Sequence, residues 1–230
     1  MRCFKTILIA LLLCPIAIAA QGWNDNTYKQ IEQRVKQPEF ANRSFVITKY
    51  GAGINLSAAK NQIAINKAIL SCSKAGGGKV IVPSGTWNTG AITLKSNVNL
   101  VVEKGAHIIF AFDTSLYPIV KTRWEGMDCM NYQPCIYAYG EKNIAITGEG
   151  TIDGNGSVKT WWKMCGKDWF KANEKVTENQ NIGRPKLFEF VENRTPIEKR
   201  NMKGLGMRPQ LINLYKCEGI LIENVTLLNS

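Results

Sequence analysis

Short runs of alternating apolar residues recur along this chain, each opened by a small polar or glycine turn and followed by a corner and a second run. Asn143-Ile144-Ala145-Ile146 is one copy, punctuated afterwards by Gly148, Gly150, Gly154 and Gly156. Ser96-Asn97-Val98-Asn99-Leu100-Val101-Val102 is another, with Gly105 at the corner and Ile108-Ile109-Phe110 beyond it. Cys217 to Leu228 repeats the same order. Alternation of period two reads as strand. A unit of two short strands cannot bury its apolar face alone, so copies must stack. The pattern predicts a β-solenoid.

Other stretches fit around that stack. Asn24 to Gln37 reads as a short amphipathic helix with Tyr28, Ile31 and Val35 on one side, and Phe45-Val46-Ile47 as a strand. Ser57 to Lys74 is the strongest helix: Ser57 can cap it, Ile65, Ile69 and Cys72 share a face with Ala64 and Ala68 beside them, and Gly76-Gly77-Gly78 stops it. No G-x-x-x-x-G-K-[ST] pattern surrounds those glycines, so they read as a helix stop and not as a phosphate cradle. Placed before a solenoid, such a helix covers the open end of the first coil, whose strands would otherwise recruit other chains. Lys79 to Pro83 reads as the first strand of the stack and Ala91 to Leu94 as the next. Asp113 to Tyr139 is irregular and aromatic, and Ser157 to Pro209 is a second irregular excursion carrying Trp161, Trp162, Trp169 and Phe170. Long excursions of this kind are usually functional and here are expected to wall a groove.

At 230 residues, with 45% apolar and 20% charged, the chain suits one globular domain with a substantial core. Its first twenty residues are a different object. Arg2 and Lys5 precede an uncharged apolar run from Ile7 to Ile18, interrupted by Pro15, and Ala17-Ile18-Ala19 offers a cleavage site. That reads as a secretory signal peptide and not a spanning helix, and Cys14 is poorly placed for a lipoprotein anchor. The expected organisation is a signal at 1–20, an extension at 21–44 and the solenoid domain at 45–230, exported to the periplasm or the extracellular space without a membrane anchor. Losing Arg2 and Lys5 from the 29 Lys+Arg leaves 27 against 18 Asp+Glu, a net charge of +9. Such charge suits a polyanion, although it forms no single block and many exported proteins are simply basic. Cys72, Cys129, Cys135, Cys165 and Cys217 remain after cleavage. With no C-x-x-C pair and His107 as the only histidine, no zinc site is expected. Cys129 and Cys135 could close a small disulfide loop in an oxidising compartment, while Cys72 and Cys217 read as buried free thiols.

Longer motifs carry a resemblance. K-Y-G-A, A-I-N-K-A-I-L-S-C, A-G-G-G-K-V-I-V-P-S-G-T-W and L-K-S-N-V-N-L-V-V-E-K-G-A, between Phe45 and Asp113, resemble the start of the pectin-lyase-like superfamily. Further on, T-R-W-E-G-M-D-C-M-N-Y-Q-P-C-I-Y-A-Y-G, I-A-I-T-G-E-G-T-I-D-G-N-G followed by W-W, and M-R-P-Q-L-I-N-L-Y are similar to glycoside hydrolase family 28, the polygalacturonases and related pectin hydrolases. The resemblance covers nearly the whole mature chain in the correct order. It implies an all-β, right-handed parallel β-helix with an N-terminal capping helix. It also implies an acidic galacturonan as partner, which suits the charge of +9; neither nucleic acid nor a cofactor is implied, and the complete protein is expected to be a monomer.

The chain departs from that family where its chemistry lies. N-T-D, D-D, G-H-G and R-I-K are absent, the aspartates Asp25, Asp113, Asp128, Asp153 and Asp168 stand apart, and Leu227-Leu228-Asn229-Ser230 resembles the strand just before the N-T-D coil. The chain is therefore expected to be the N-terminal portion of such an enzyme, its β-helix incomplete at the C-terminus, with no catalytic residue of its own. Inverting hydrolysis needs an acid and a carboxylate base at fixed separation on opposite faces of the glycosidic bond. Asp153 in T-I-D-G-N-G is better read as a turn aspartate bonding its own backbone, and Asp128 and Glu125 as loop charges. Substrate contact is the better expectation. An arginine fork grips a uronate and an aromatic face stacks on a sugar, which singles out Arg123, Trp124 and Arg208; loop packing for Trp124 and an ion pair for Arg208 are the plainer roles. Trp161 and Trp162 read as anchors of their loop. Two other readings remain: a non-catalytic β-helix that binds acidic polysaccharide or serves at a surface, and a polysaccharide lyase, which would need a basic residue and usually calcium carboxylates that no acidic cluster here supplies.

Overall fold

The computed structural model describes residues 25–166 and 179–230, so the signal-peptide reading and Asp168, Trp169 and Phe170 lie outside the described residues. The chain divides into a small N-terminal unit ending at Lys36 and a larger unit, Gln37–Ser230. The first holds α1, Asp25–Arg34. The expected helix is present, with Ile31 half-buried while Tyr28 is 60% and Val35 67% exposed.

The larger unit opens with β1 (Ser44–Val46), a 3-10 turn at Ile47–Tyr50 and α2 (Ala58–Lys74). A first coil follows as β2 (Gly78–Val82), β3 (Gly85–Thr89) and β4 (Ile92–Thr93). The second runs through β5 (Val98–Val102) and β6 (Ala106–Phe110), leaves the stack as a hairpin of β7 (Ile119–Trp124) and β8 (Met127–Tyr132), and returns as β9 (Ile136–Tyr139). The third has β10 (Lys142–Gly148) and β11 (Thr151–Asp153), leaves again through an excursion bearing α3 (Gln180–Glu192), and returns as β12 (Ile212–Tyr215). Strands β13 (Glu218–Ile222) and β14 (Thr226–Leu228) stack upon it.

Like positions of successive coils pair in parallel, giving three sheets ordered β1-β2-β5-β10-β13, β3-β6-β11-β14 and β4-β9-β12, the right-handed parallel β-helix expected of the sequence. Register places identical chemistry in columns. Val80, Leu100 and Ile146 align and are fully buried, as do Trp87, Ile108 and Ile152, and Ile92 with Ile136. Each such aliphatic side chain contributes roughly 1.5–3 kcal/mol of burial. At the corner that opens the first sheet, Asn97 and Asn143 hold left-handed backbone at φ 64° and 56°. Asn143 Nδ2 donates to Asn97 Oδ1 at 3.1 Å and to the Glu39 carbonyl at 2.8 Å. Gly77 occupies the same corner one coil earlier at φ 97°, and a Cβ there would strike the Asn97 carbonyl.

α2 seals the first coil. Ser57 caps it, and Ala64, Ile65, Ala68, Ile69 and Cys72 enter the main core. Its polar side chains close backbone groups that the first coil would leave open: Asn61 Nδ2 donates to the Asn88 carbonyl at 2.9 Å, and Asn66 Oδ1 accepts from the Thr93 amide at 2.7 Å.

Three expectations need correction. The stretch after Asp113 is not irregular: β7 and β8 form an antiparallel hairpin. Its two-residue turn, Glu125-Gly126, has φ 46° and 83°, the doubly positive geometry that matches strand twist. The second excursion hides a helix, α3, because Gly183 and Pro185 interrupt its sequence signal. Gly183 is needed for close approach, since a Cβ there would collide with the Leu205 carbonyl. Cys129 and Cys135 are free thiols in two different apolar clusters, not a disulfide. Burial pushes both up to about 12. β3 went unforeseen because Gly-Thr-Trp-Asn-Thr turns only Trp87 and Thr89 inward.

Candidate functional site

Both excursions leave between a strand of the second sheet and a strand of the third, so they rise from one corner on adjacent coils. There they share a second core. Trp124 and Cys129 of the hairpin pack with Leu187 of α3 and with Met202 and Met207, while Met127, Phe190 and Leu205 border them. Asn131 Nδ2 donates to the Met207 carbonyl at 2.9 Å, and Arg200 Nη1 to the Asp128 carbonyl at 3.1 Å. The result is a packed wall beside the third sheet.

A cavity of about 370 Å³ lies at the foot of this wall. Trp124 and Glu125 come from the hairpin, Trp161 from the turn after β11, and Arg208, Gln210 and Leu211 from the segment entering β12. Trp161 is fixed edge-on against Phe112 and Tyr117, with centroids 4.8 and 5.3 Å away and interplanar angles of 88° and 87°. Tyr117 OH donates in turn to the Ala111 carbonyl at 2.8 Å. Two aromatic rings therefore fix the Trp161 indole in the cavity lining.

Residues of this lining carry unsatisfied chemistry. Trp161 Nε1, Arg208 Nε and Gln210 Oε1 are buried without a hydrogen-bond partner, and all three residues line the cavity. A buried polar atom left unpaired costs about 1–3 kcal/mol, so three such atoms on residues that line one cavity are an unusual concentration. Two N–H donors, one of them on a cation, call for a carboxylate; the amide oxygen calls for a hydroxyl. A hydroxylated acid of sugar size meets both requirements.

The sequence-derived candidates separate here. Arg208 lines the cavity, and among the described residues no carboxylate lies within ion-pair distance of it. Trp124, 9% exposed, lines the cavity and packs into the wall core. Arg123 is outside the cavity lining and already engaged: its Nε lies 3.2 Å from Asp128, its Nη2 donates to the Gly126 carbonyl at 2.7 Å, and its guanidinium covers the Tyr215 ring at 5.7 Å. Asp153 is a turn aspartate, accepting from the Asn155 amide at 2.7 Å and from Asn229 at 3.0 Å, with His107 Nε2 at 3.3 Å. Glu125 is the one carboxylate among the described cavity residues, and it pairs with Arg184 at 2.7 Å. No acid–base pair is assembled at the cavity among the described residues. Gln210 and the indole N–H of Trp161 escaped the sequence reading, because only the folded arrangement leaves their polar atoms unpaired.

Comparison with known proteins agrees with this architecture. The model of Glycosyl hydrolases family 28 matches residues 72–230. The crystal structure of a hyperthermoactive exopolygalacturonase from Thermotoga maritima aligns with a TM-score of 0.80 at 35% identity, over 88% of this chain and 45% of that one. An exo-poly-alpha-D-galacturonosidase of Dickeya chrysanthemi is 33% identical over 118 residues, 48% of this chain and 19% of its own length. An endo-polygalacturonase of Pectobacterium carotovorum subsp. carotovorum is 28% identical over 181 residues, 72% of this chain and 36% of its own. The chain spans between 19% and 49% of the length of the curated relatives it matches.

Proposed function

Because this chain belongs to glycosyl hydrolase family 28, we propose that it forms the N-terminal part of an exported pectin hydrolase and that its wall cavity binds one galacturonate unit of the polysaccharide. The observation that carries this reading is that Arg208, Trp161 and Gln210 line one cavity and each holds a buried side-chain atom without a hydrogen-bond partner: Nε, Nε1 and Oε1. The uronate carboxylate bonds Arg208 and Trp161, and a ring hydroxyl donates to Gln210. Trp124 supplies an apolar side to the sugar, and Arg123 positions the hairpin from which Trp124 projects.

Hydrolysis by inversion needs two carboxylates at fixed separation. Glu125 is committed to Arg184 and Asp128 to Arg123, so the reading assigns the acid and the base to coils following Ser230. It follows that binding and bond cleavage separate. The purified 230-residue chain binds galacturonic acid without releasing reducing sugar from polygalacturonate, whereas the protein at its native length does both. Reducing-sugar release by the 230-residue chain alone would overturn this division. Absence of galacturonic acid binding would overturn the cavity assignment.

A further inference from the structure

Next to the cavity, the outer face of the third sheet carries an aromatic column with its own cations. Tyr139 and Tyr215 are register partners on β9 and β12 and so project from the same face one coil apart. Their rings meet edge to face, with centroids 5.4 Å apart. Arg123 and Lys216 each bring a positive charge to 5.7 Å from the Tyr215 ring. Tyr139 is 39% exposed and offers its surface to solvent.

Backbone strain marks the same place. The residue after Tyr139 is Gly140, at φ 68°, and the residue after Tyr215 is Lys216, at φ 55°. The left-handed corner is free for glycine but unfavourable for a lysine. Gly140 shows that the corner accepts glycine, and its amide donates to the Tyr215 carbonyl at 3.0 Å. A strained residue where an unstrained one is available in the preceding coil points to a use for its side chain.

We propose that Tyr139, Tyr215 and Lys216 form a second docking strip, which holds the acidic polysaccharide where it runs on from the wall cavity. The inference rests on the cavity reading for the identity of the polymer. A sugar ring lies on the exposed face of Tyr139 while a uronate carboxylate meets Lys216. Arg123 joins the two regions: its carbonyl accepts from Gln210 Nε2, and its guanidinium covers Tyr215. Partial burial, together with hydrogen bonding to the Asp128 carboxylate, pushes the Tyr215 phenol up to about 12. The Tyr215 phenol therefore stays uncharged at neutral pH.

The test is affinity electrophoresis of the native-length protein through gels containing polygalacturonate or neutral galactan, alongside thermal-shift titration with galacturonic acid. Lys216→Gly relieves backbone strain, so loss of fold does not confound it; Tyr139→Ala is the second variant. Each is expected to lower retention by polygalacturonate roughly two- to fivefold, in a manner that fades with salt, and to leave the galacturonic acid shift unchanged. Full retention of Lys216→Gly, with a normal galacturonic acid shift, overturns the strip and leaves the cavity standing. Loss of the galacturonic acid shift in the unaltered protein overturns the cavity, and the strip with it.

Discussion

Arg208→Met separates what the cavity does for binding from what it does for folding. Methionine keeps the reach of arginine's stem as far as Nε, stays apolar and removes every donor. Arg208 Nε is buried without a partner, and an unsatisfied buried group of this kind costs about 1–3 kcal/mol. Its removal should therefore stabilise the empty protein. For a domain of this size, each kcal/mol moves the melting temperature by about 2–4 °C, so the variant should melt roughly 2–12 °C higher. Galacturonic acid acts in the opposite sense. At a hundred times its dissociation constant a ligand stabilises the unaltered protein by about 2.7 kcal/mol, whereas Arg208→Met, lacking the fork that receives the carboxylate, should show almost no ligand-induced rise. Scanning calorimetry of both proteins, with and without galacturonic acid, reads all four quantities. A variant that melts below the parent would mean that Arg208 binds the fold together. A ligand-induced rise of undiminished size in the variant would falsify its role in the cavity.

Other consequences are open to direct measurement. Asn143→Gly loses the bonds to Glu39 and Asn97, while Asn143→Ala also meets the left-handed penalty of about 1–2 kcal/mol; urea unfolding should rank the parent above glycine and glycine above alanine, and the reverse order of the two variants would refute the corner's role. Burial alone would raise the Glu141 carboxyl, but hydrogen bonds from Ser96 and Lys95 outweigh it and hold the group below its ordinary 4.5. A depressed folded value means that this stability is present above the unfolded value and is lost as pH falls through the folded one. Glu141→Gln should therefore flatten the loss of melting temperature below about pH 4.5, and an acid limb as steep as the parent's would contradict it. Burial raises Cys72 to about 11 and Cys129 and Cys135 to about 12, so all three should resist Ellman's reagent at pH 8 until the protein unfolds; rapid labelling of the folded protein would show that the two cores are open.

Much of the stack was legible in the sequence, although β3 and β9, which pair within it, were not. Ile144 and Ile146, Val98 and Leu100, Ile220 and Ile222 each state the alternation that register then aligns. The capping helix announced itself through Ser57 and the spacing of Ile65, Ile69 and Cys72. The wall did not, because its strands pair with each other and its core borrows from distant segments: Trp124, Leu187 and Met207 are far apart in sequence and share no period. Arg208 was visible as a cation beside a proline, but its significance depends on the missing partner at Nε, which no local pattern records. Trp161 shows the same limit, since its anchoring role follows from aromatic bulk and its donor role only from the geometry around Nε1.

One architectural detail sets how readily such a protein can be altered. The hairpin and the α3-bearing excursion depart and return at the same corner, and the columns of Val80, Leu100 and Ile146 run past without noticing either length. Loop closure grows only slowly more costly with length, so that corner is a socket in which the solenoid accepts inserts of any shape. Exchanging the two inserts together, with their shared core intact, is then a route to new polysaccharide preferences on an unchanged spine. Exchanging one alone would break the core that makes them a wall.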